Sequence, residues 1–191
     1  MADYGNSFMR FFTGTGDKGE TCLGDGKRTG KNSLRVEVNG NLDELNSLVG
    51  IIIAQIKNEE TKNILLQVQN DLFVVGAEIA SSEKEKINYK IPTLTEKHTK
   101  RIEKFTNEIG KQLDPLDKFI LPGGNLNAAF LQTVRAVCRR TERSIVVLAK
   151  KEKINEEILK YCNRLSSLLF VLARFENKNS GIKEMEWNPE K

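Results

Sequence analysis

The stretch EEILKYCNRLSSLLFVLARF, residues 156–175, decides the fold class. Its apolar side chains recur at steps of three and four residues, which places them on one face of an α-helix. These residues are Ile158, Tyr161, Cys162, Leu165, Leu168, Leu169, Leu172 and Ala173. Asn155 precedes the stretch and can cap the helix, because an asparagine side chain accepts hydrogen bonds from free backbone N–H groups.

The same spacing predicts four more helices upstream. The first has an apolar face of Leu42, Leu45, Val49, Ile52, Ile53 and Ile56. The second has a face of Ile64, Leu65, Val68, Leu72, Val75 and Ile79. After a charged linker over 81–90, Thr93 and Glu96 form a capping-box pattern that starts a third helix. The third helix lies at the edge of the bundle, since its apolar face holds only Ile102, Phe105 and Ile109. A turn over 121–124 precedes a long fourth helix from about Leu126 to Lys150.

Five helices with short connections indicate an all-α helix bundle, and 191 residues fit a single domain. We divide the chain into a glycine-rich loop segment over 1–40, a helical bundle over 41–178 and a polar C-terminal tail over 179–191. Seven of the 14 glycines lie between Gly5 and Gly30. The first segment is therefore predicted to be loop and turn, with a short extended piece over 34–38.

Composition excludes several classes of function. The formal net charge of +4 comes from interspersed basic and acidic residues, so neither nucleic acid nor a membrane surface is indicated as a partner. Three cysteines without metal-binding spacing fit a reducing compartment. The single histidine, His98, is expected on a solvated helix face, which argues against a zinc site or a Ser-His-Asp triad. No leader or membrane-spanning run is visible, so we expect a cytoplasmic protein.

The loop segment has the chemistry to bind a triphosphate. Residues 13–21 read TGTGDKGET. Glycines let backbone N–H groups turn towards an anion, and threonine hydroxyls add donors. Lys18, Lys27 and Lys31 add positive charge. The motif is neither Walker A nor a Rossmann fingerprint, and a flexible solvated arm is the alternative. The predicted ligands are Thr13, Gly14, Thr15, Gly16, Asp17, Lys18, Gly19, Thr21, Lys27 and Lys31.

The predicted fourth helix carries an unusual group of arginines, Arg135, Arg139, Arg140 and Arg143, in a chain with twice as many lysines as arginines. Arginine suits bidentate binding of phosphate. Arg135, Arg139, Glu142 and Arg143 share one face, while Arg140 points about 100° away. Glu142 can hold Arg139 or accept hydrogen bonds from a ribose. Ion pairs on an ordinary solvated face are the alternative, but four close cations repel one another, which favours an anionic ligand.

These segments resemble the PduO-type ATP:cob(I)alamin adenosyltransferase family. The N-terminal matches are residues 13–19, 25–28 and 40–46, which read TGTGDKG, DGKR and GNLDELN. The later matches are residues 118–124, 137–143, 163–166 and 170–174, which read KFILPGG, VCRRTER, NRLS and FVLAR. They stand in family order and extend over almost the whole chain. Each motif alone is modest, whereas their joint occurrence is highly specific.

The resemblance implies a five-helix bundle that forms a homotrimer with active sites between subunits. The implied reaction transfers the 5′-deoxyadenosyl group of ATP to the cobalt of cob(I)alamin and releases triphosphate, with Mg²⁺ accompanying the nucleotide. By motif, Cys22 joins the loop residues of the nucleotide site. The bundle side of that site would be Arg139, Arg140, Thr141, Glu142, Arg143 and Asn163.

Two further assignments come from the resemblance. Phe119 matches the aromatic residue that packs against the lower face of the corrin ring and helps to exclude the lower axial ligand. Arg135 and Asp43 match a salt bridge at the subunit interface. The chain departs from the family pattern at Gly14, where a basic residue is common, and at Ser167, where an aspartate often stands.

The interpretation leaves two rival functions open. One is a bundle that senses ATP or carries adenosylcobalamin without chemistry, and the other is a structural bundle whose arginines pair with its own acids. The predicted catalytic residues are Arg135, Arg139, Glu142, Phe119 and Asp43, and no metal ligands are predicted. A corrinoid reductase and an adenosylcobalamin-dependent enzyme are the expected protein partners.

Overall fold

The computed structural model describes residues 12–81 and 90–190, and within them it contains five helices and one small hairpin. Most of the predicted charged linker lies outside the described residues. The elements are β1 (Glu20–Cys22), β2 (Arg28–Gly30), α1 (Leu34–Gln55), α2 (Glu59–Ile79), α3 (Glu96–Gly110), α4 (Leu126–Ala149) and α5 (Glu156–Asn179). The predicted helical bundle is confirmed, with the correction that the glycine-rich segment also folds into an antiparallel β1–β2 pair.

The predictions for α4 and α5 are confirmed closely. Asn125 and Asn155 are the N-caps, and their side chains accept from the backbone N–H groups of Ala128 and Glu157. All eight residues of the predicted apolar face of α5 are buried. The local signals suffice here, because a strong cap and a continuous apolar stripe point to the same boundaries.

The prediction for the start of α1 is wrong. Residues 34–38 are helical, not extended, and the loop segment ends at Ser33 instead of Gly40. Arg35 and Val38 are buried on the same side as Leu42. Packing against the bundle therefore extends the helix through Val38 and Gly40, although β-branched residues and glycine have low helix propensity.

The cap of α3 also differs from the prediction. Thr95 is the N-cap, and the third residue of the helix that completes the capping box is His98, whose Nδ1 accepts from the Thr95 N–H at 3.0 Å. The predicted pattern of Thr93 and Glu96 overlaps a second one, formed by Thr95 and His98, and the helix uses the second. Leu94 is buried, and its N–H donates to the buried carboxylate of Glu78 on α2, which fixes where the chain enters the helix.

In the bundle, α1 packs against α2 and α4, and α5 packs against α4 and α3. A buried polar group joins three of the helices: the hydroxyl of Tyr161 donates to Asp71 Oδ2 at 2.9 Å, and Arg101 pairs with Asp71 Oδ1. The predicted edge position of α3 agrees with this packing, in which its main neighbour is α5.

None of the helices in residues 12–81 and 90–190 has the length and hydropathy required to cross a membrane.

Candidate active site

The N-terminal loop folds into successive tight turns. Gly14 has a φ of +71°, and its carbonyl accepts from the Asp17 N–H at 3.3 Å. The carbonyl of Gly16 accepts from the Gly19 N–H at 3.2 Å. Left-handed and turn conformations of this kind are open to glycine at little steric cost. The hydroxyls of Thr13 and Thr15 lie 2.9 Å apart.

Lys31 lies over this loop. A Cβ atom built on Gly16 would stand 3.2 Å from Lys31 Nζ, so a glycine permits the ammonium group to approach the turn. The N–H of Lys31 also donates to the carbonyl of Gly19 at 2.8 Å. The predicted charge from Lys31 is thus placed at the glycine turns, while the side chains of Lys18 and Lys27 are exposed.

Arg28, the first residue of β2, stands in the DGKR motif but was not predicted as a ligand. Its Nη2 pairs with Glu20 Oε2 at 2.7 Å and donates to the carbonyl of Thr15 at 3.3 Å. The hydrogen bond that Arg28 donates to the Glu20 carboxylate raises the pKa of Arg28. Arg28 and Cys22 are cross-strand partners in the hairpin, so the β1–β2 register holds the 13–16 turn in place. Thr21 is half-buried and Cys22 is exposed.

The arginine face of α4, by which we mean Arg135, Arg139 and Arg143, forms no ion pair with a carboxylate among the described residues. Arg139 and Arg143 are exposed, and within the described residues neither forms an ion pair. Arg135 donates from Nε to Gln132 Oε1 at 2.8 Å and has no carboxylate partner there either. Arg140, which points away from this face, pairs with Glu44 of α1.

Two predicted neighbours of the arginines have other roles. Thr141 is fully buried, and its hydroxyl donates to the carbonyl of Asn41 at 3.2 Å. It therefore supports the packing of α4 against α1, and its contact with the nucleotide stays a prediction. Glu142 accepts from Asn163 Nδ2 at 3.3 Å, and no ion pair with Arg139 is present among the described residues. Asn163 is thereby joined to the arginine face.

Phe119 and Arg135 line one cavity of about 570 Å³. Phe170 and the buried Gln132 also contribute to it, so its wall combines aromatic, amide and guanidinium groups. Phe119 is 79% exposed, and its ring meets that of Trp187 edge-on, with ring centroids 6.3 Å apart. A cavity of this size, mostly apolar with a few polar groups, suits an organic ligand.

Asp43 lies elsewhere in the chain. It lines a second cavity, of about 580 Å³, on the face of α1 and α2, together with Asn46 and the exposed Phe73. Within one chain Asp43 and Arg135 are not paired. Among the described residues, no hydrogen bond joins the N-terminal loop to the arginine face. Within the described part of the chain, Asp43, the N-terminal loop and the arginine face are therefore not joined to one another by hydrogen bonds or ion pairs.

Sequence reasoning missed Gln132, Trp187 and Arg174. The role of Gln132 could have been predicted from the sequence, because a glutamine three residues before an arginine on a helix can hold the arginine side chain. Trp187 is the only tryptophan of the chain, but nothing in its local sequence says that it meets Phe119. Arg174 stands in the FVLAR motif, but its contacts with Glu184 and Asp114 likewise depend on the folded chain.

The chain matches the family model described as cobalamin adenosyltransferase over residues 11–176. It is 42% identical over 183 residues to a corrinoid adenosyltransferase of Bacillus subtilis, covering 94% of this chain and 92% of that protein. It is 40% identical over 191 residues to a cobalamin adenosyltransferase of Cupriavidus metallidurans, covering 98% of each.

Solved structures agree with these relatives. One is a variant of a PduO-type ATP:corrinoid adenosyltransferase from Lactobacillus reuteri complexed with cobalamin and ATP. It is 32% identical, with a TM-score of 0.89, and the match covers 94% of this chain and 97% of that chain. Another variant, complexed with ATP, has a TM-score of 0.85 at 34% identity and covers 93% and 99% of the two chains. By fold, by motif and by sequence identity along almost its whole length, this chain belongs to the cobalamin adenosyltransferase family.

Proposed function

We propose that this protein is a transferase that moves the 5′-deoxyadenosyl group of ATP to the cobalt of cob(I)alamin. The cobalt(I) centre of the substrate attacks the 5′ carbon of the ribose, a cobalt–carbon bond forms, and the carbon–oxygen bond to triphosphate breaks. Cobalt supplies both electrons of the new bond, so its formal state rises from I to III. The protein need supply no nucleophile and no general base, which agrees with its single histidine, used here as a helix cap.

The unpaired arginine face is the observation that carries the proposal. Arg135, Arg139 and Arg143 find no carboxylate within the described residues, although the protein has 26 acidic residues. A surface built only for stability would pair them. Guanidinium groups left free are suited to the negative charge that develops on a leaving triphosphate. This favours the enzyme over the purely structural bundle.

We assign the cavity of Phe119 to the corrinoid. The ring is exposed at the cavity, where it can lie against a flat macrocycle and exclude an axial ligand from one face of the cobalt. Arg135 lies at the same cavity, and its side chain is oriented by the buried Gln132. The two residues would therefore place the cobalt and the ribose 5′ carbon within reach of each other.

We also propose that the site is completed by a second subunit of a homotrimer. Asn46 is buried, yet its Oδ1 has no hydrogen-bond partner, and it lies in the cavity of Asp43 beside a 74% exposed Phe73. Buried polar atoms without partners are rare in complete structures. A neighbouring subunit would cover Phe73 and bring its own Arg135 to Asp43.

Mg²⁺ would accompany the nucleotide. The described residues contain no group of three or more His, Cys, Asp or Glu side chains that could hold a metal ion. The ion would take phosphate oxygens and water for most of its ligands, as Mg²⁺ commonly does. A cytoplasmic location, a reductase and an adenosylcobalamin-dependent acceptor enzyme remain predictions.

A spectral assay tests the activity. Purified protein is mixed with MgATP and chemically reduced cobalamin, and the absorbance spectrum and the release of triphosphate are followed together. An adenosyltransferase converts the corrinoid to its adenosylated form and releases one triphosphate per corrinoid. Binding of both compounds without release of triphosphate would identify a carrier or sensor. Calorimetry with MgATP alone tests the structural alternative, which predicts no heat of binding.

A further inference from the structure

Residues 182–187, which we call the C-terminal strap, run back over the loop that carries Phe119. Two backbone hydrogen bonds join them: the Leu121 N–H donates to the carbonyl of Met185 at 2.8 Å, and the Trp187 N–H donates to the carbonyl of Phe119 at 2.7 Å. The Trp187 ring then packs edge-on against the Phe119 ring. The strap thus fixes both the backbone and the ring of Phe119.

Phe119 depends on this support because its own segment is irregular. Residues 111–119, between α3 and the strap contact, contain turns and bends but no helix or strand. The Phe119 ring is exposed, and among the described residues Trp187 is its one aromatic neighbour. An exposed ring on irregular backbone samples many positions unless neighbouring groups restrain it.

The strap is anchored by Arg174 on α5. Its Nε donates to both carboxylate oxygens of Glu184, at 3.1 and 3.0 Å, and its Nη2 donates to the carbonyl of Asp114 at 2.9 Å. The two side chains are only 12% and 18% exposed, so solvent screens this pair less than a surface pair. One guanidinium therefore joins the helix, the strap and the start of the loop that carries Phe119.

Among the described residues the strap has a second ion pair, which cannot anchor it in the same way. Lys118 and Glu186 approach to 3.2 Å, but their side chains are 65% and 57% exposed. Exposed pairs contribute little, since water competes for both charges and two long side chains must be ordered. The half-buried pair of Arg174 and Glu184 is the one that can set the position of the strap.

We propose that Arg174 is a positioning residue for adenosylation. Through Glu184 it holds the strap, and through the strap it holds Trp187 against Phe119 at the corrinoid cavity. The inference rests on the proposed function. It concerns the corrinoid and not the nucleotide, because the described contacts of the strap lead to the 112–121 loop and to α5, not to the N-terminal turns or the arginine face.

Four variants test the proposal. Arg174→Met and Glu184→Gln remove the pair from either side, and Arg174→Lys keeps the charge without the planar fork. Arg101→Met is the matched control, because it removes a guanidinium from the buried Asp71 between α3 and α2, away from the cavity. Two quantities are measured on the full-length chain: steady-state kinetics with reduced cobalamin and MgATP, and acrylamide quenching of Trp187, the single tryptophan.

The expected result separates the two substrates. Arg174→Met and Glu184→Gln should raise the KM for cobalamin about fivefold or more, leave the KM for ATP within about twofold, and make Trp187 more readily quenched. The KM for cobalamin and the quenching of Trp187 in Arg174→Lys should lie between the values of these two variants and those of the wild type. Arg101→Met should lower the melting temperature without changing either KM or the quenching.

Three outcomes would overturn the proposal. Unchanged quenching would show that Arg174 does not hold the strap, and increased quenching with an unchanged KM for cobalamin would show that the strap does not serve the site. An equal rise in both KM values would mark Arg174 as merely structural. Failure of the proposed function is distinguishable, because the wild type would then form no adenosylated corrinoid while the quenching comparison still reports on the strap.

Discussion

At the scale of single residues, the direction in which an arginine side chain points from α4 determines whether it pairs with a carboxylate of the bundle. Arg139 and Arg140 are neighbours in sequence, but Arg140 reaches Glu44 on α1 whereas Arg139 has no carboxylate partner among the described residues. A step of one residue turns the side chain by about 100°. Arg140 is therefore tied to the bundle, while Arg139 remains available for phosphate.

We predict that Arg139→Ala lowers kcat for adenosylation by about 10²–10³-fold, because it removes a charged donor from the developing triphosphate. The residue is exposed, so the melting temperature should stay unchanged. Lys160→Ala, which removes an exposed cation from α5, is the control and should retain activity. Wild-type kinetics in Arg139→Ala would remove this residue from the mechanism.

Phe119 is predicted to act on the corrinoid alone. Phe119→Ala should slow adenosylation by about tenfold or more, equivalent to about 1.4 kcal/mol of barrier height, and leave ATP affinity unaltered. Steady-state kinetics and calorimetry with MgATP measure the two effects. A matching loss of ATP affinity would show that the ring supports the whole site and does not serve the corrinoid specifically.

At the scale of elements, the turn before α4 shows how a loop is fixed by a distant helix end. The buried side chain of Asn177 on α5 accepts from the Asn125 N–H at 3.0 Å and donates to the carbonyl of Gly123 at 3.1 Å. Asn125 in turn caps α4. The close approach requires Gly124, where a built Cβ atom would lie 2.0 Å from Asn177 Oδ1.

We predict that Gly124→Ala destabilises the protein, because Gly124 also has a φ of +109°. Backbone strain alone should lower the free energy of unfolding by about 1–3 kcal/mol, and the clash with Asn177 adds to it. Gly123→Ala is a matched control, since nothing stands within 4 Å of its built Cβ atom. Urea denaturation of both variants measures the difference, and equal stabilities would contradict this account of the turn.

At the scale of the whole molecule, buried polar groups connect helices that are distant in sequence. Asp71 meets Tyr161 and Arg101, and Thr61 on α2 donates to Glu176 on α5 at 2.8 Å. Burial raises the pKa of Glu176, and the hydrogen bond from Thr61 partly opposes that shift. The bundle therefore holds a carboxylate that would be better solvated in the unfolded chain.

This burial makes stability depend on pH in a definite direction. In the unfolded chain Glu176 titrates near its ordinary pKa of 4.5, whereas in the folded protein its pKa is higher. Below both pKa values the Glu176 carboxyl is neutral in the folded and in the unfolded state, so its ionisation contributes nothing to the free energy of unfolding. As pH rises through this window the unfolded state loses its proton first, so the stability of the folded state falls.

We therefore predict that Glu176→Gln gains stability relative to the wild type as pH rises. The difference in free energy of unfolding, measured in urea, should be larger at about pH 7 than at about pH 4. Glu108→Gln, on the exposed face of α3, is the control for replacing a carboxylate by an amide where the side chain is not buried. A difference that does not change with pH would show that Glu176 carries no such burial cost.

Prediction from sequence worked best where one local signal was strong. The apolar stripe and the Asn155 cap of α5, and the turn over 121–124 before α4, predicted helix starts that the structure confirms. It failed where two signals conflicted. Residues 34–38 follow a glycine-rich segment and contain two valines, and only contacts with the rest of the bundle reveal them as helix. The cap of α3 was misplaced for a similar reason, because Leu94 is held by Glu78 of another helix.

The sequence by itself determined the five helices, their inward faces and the crowding of arginines on α4, because periodicity and residue type are local properties. Only the tertiary structure decided that Arg140 is paired and Arg139 is not, that Thr141 is buried, and that Trp187 meets Phe119. These facts depend on contacts between residues far apart in the chain. Such contacts follow from how the helices pack, which no single segment encodes.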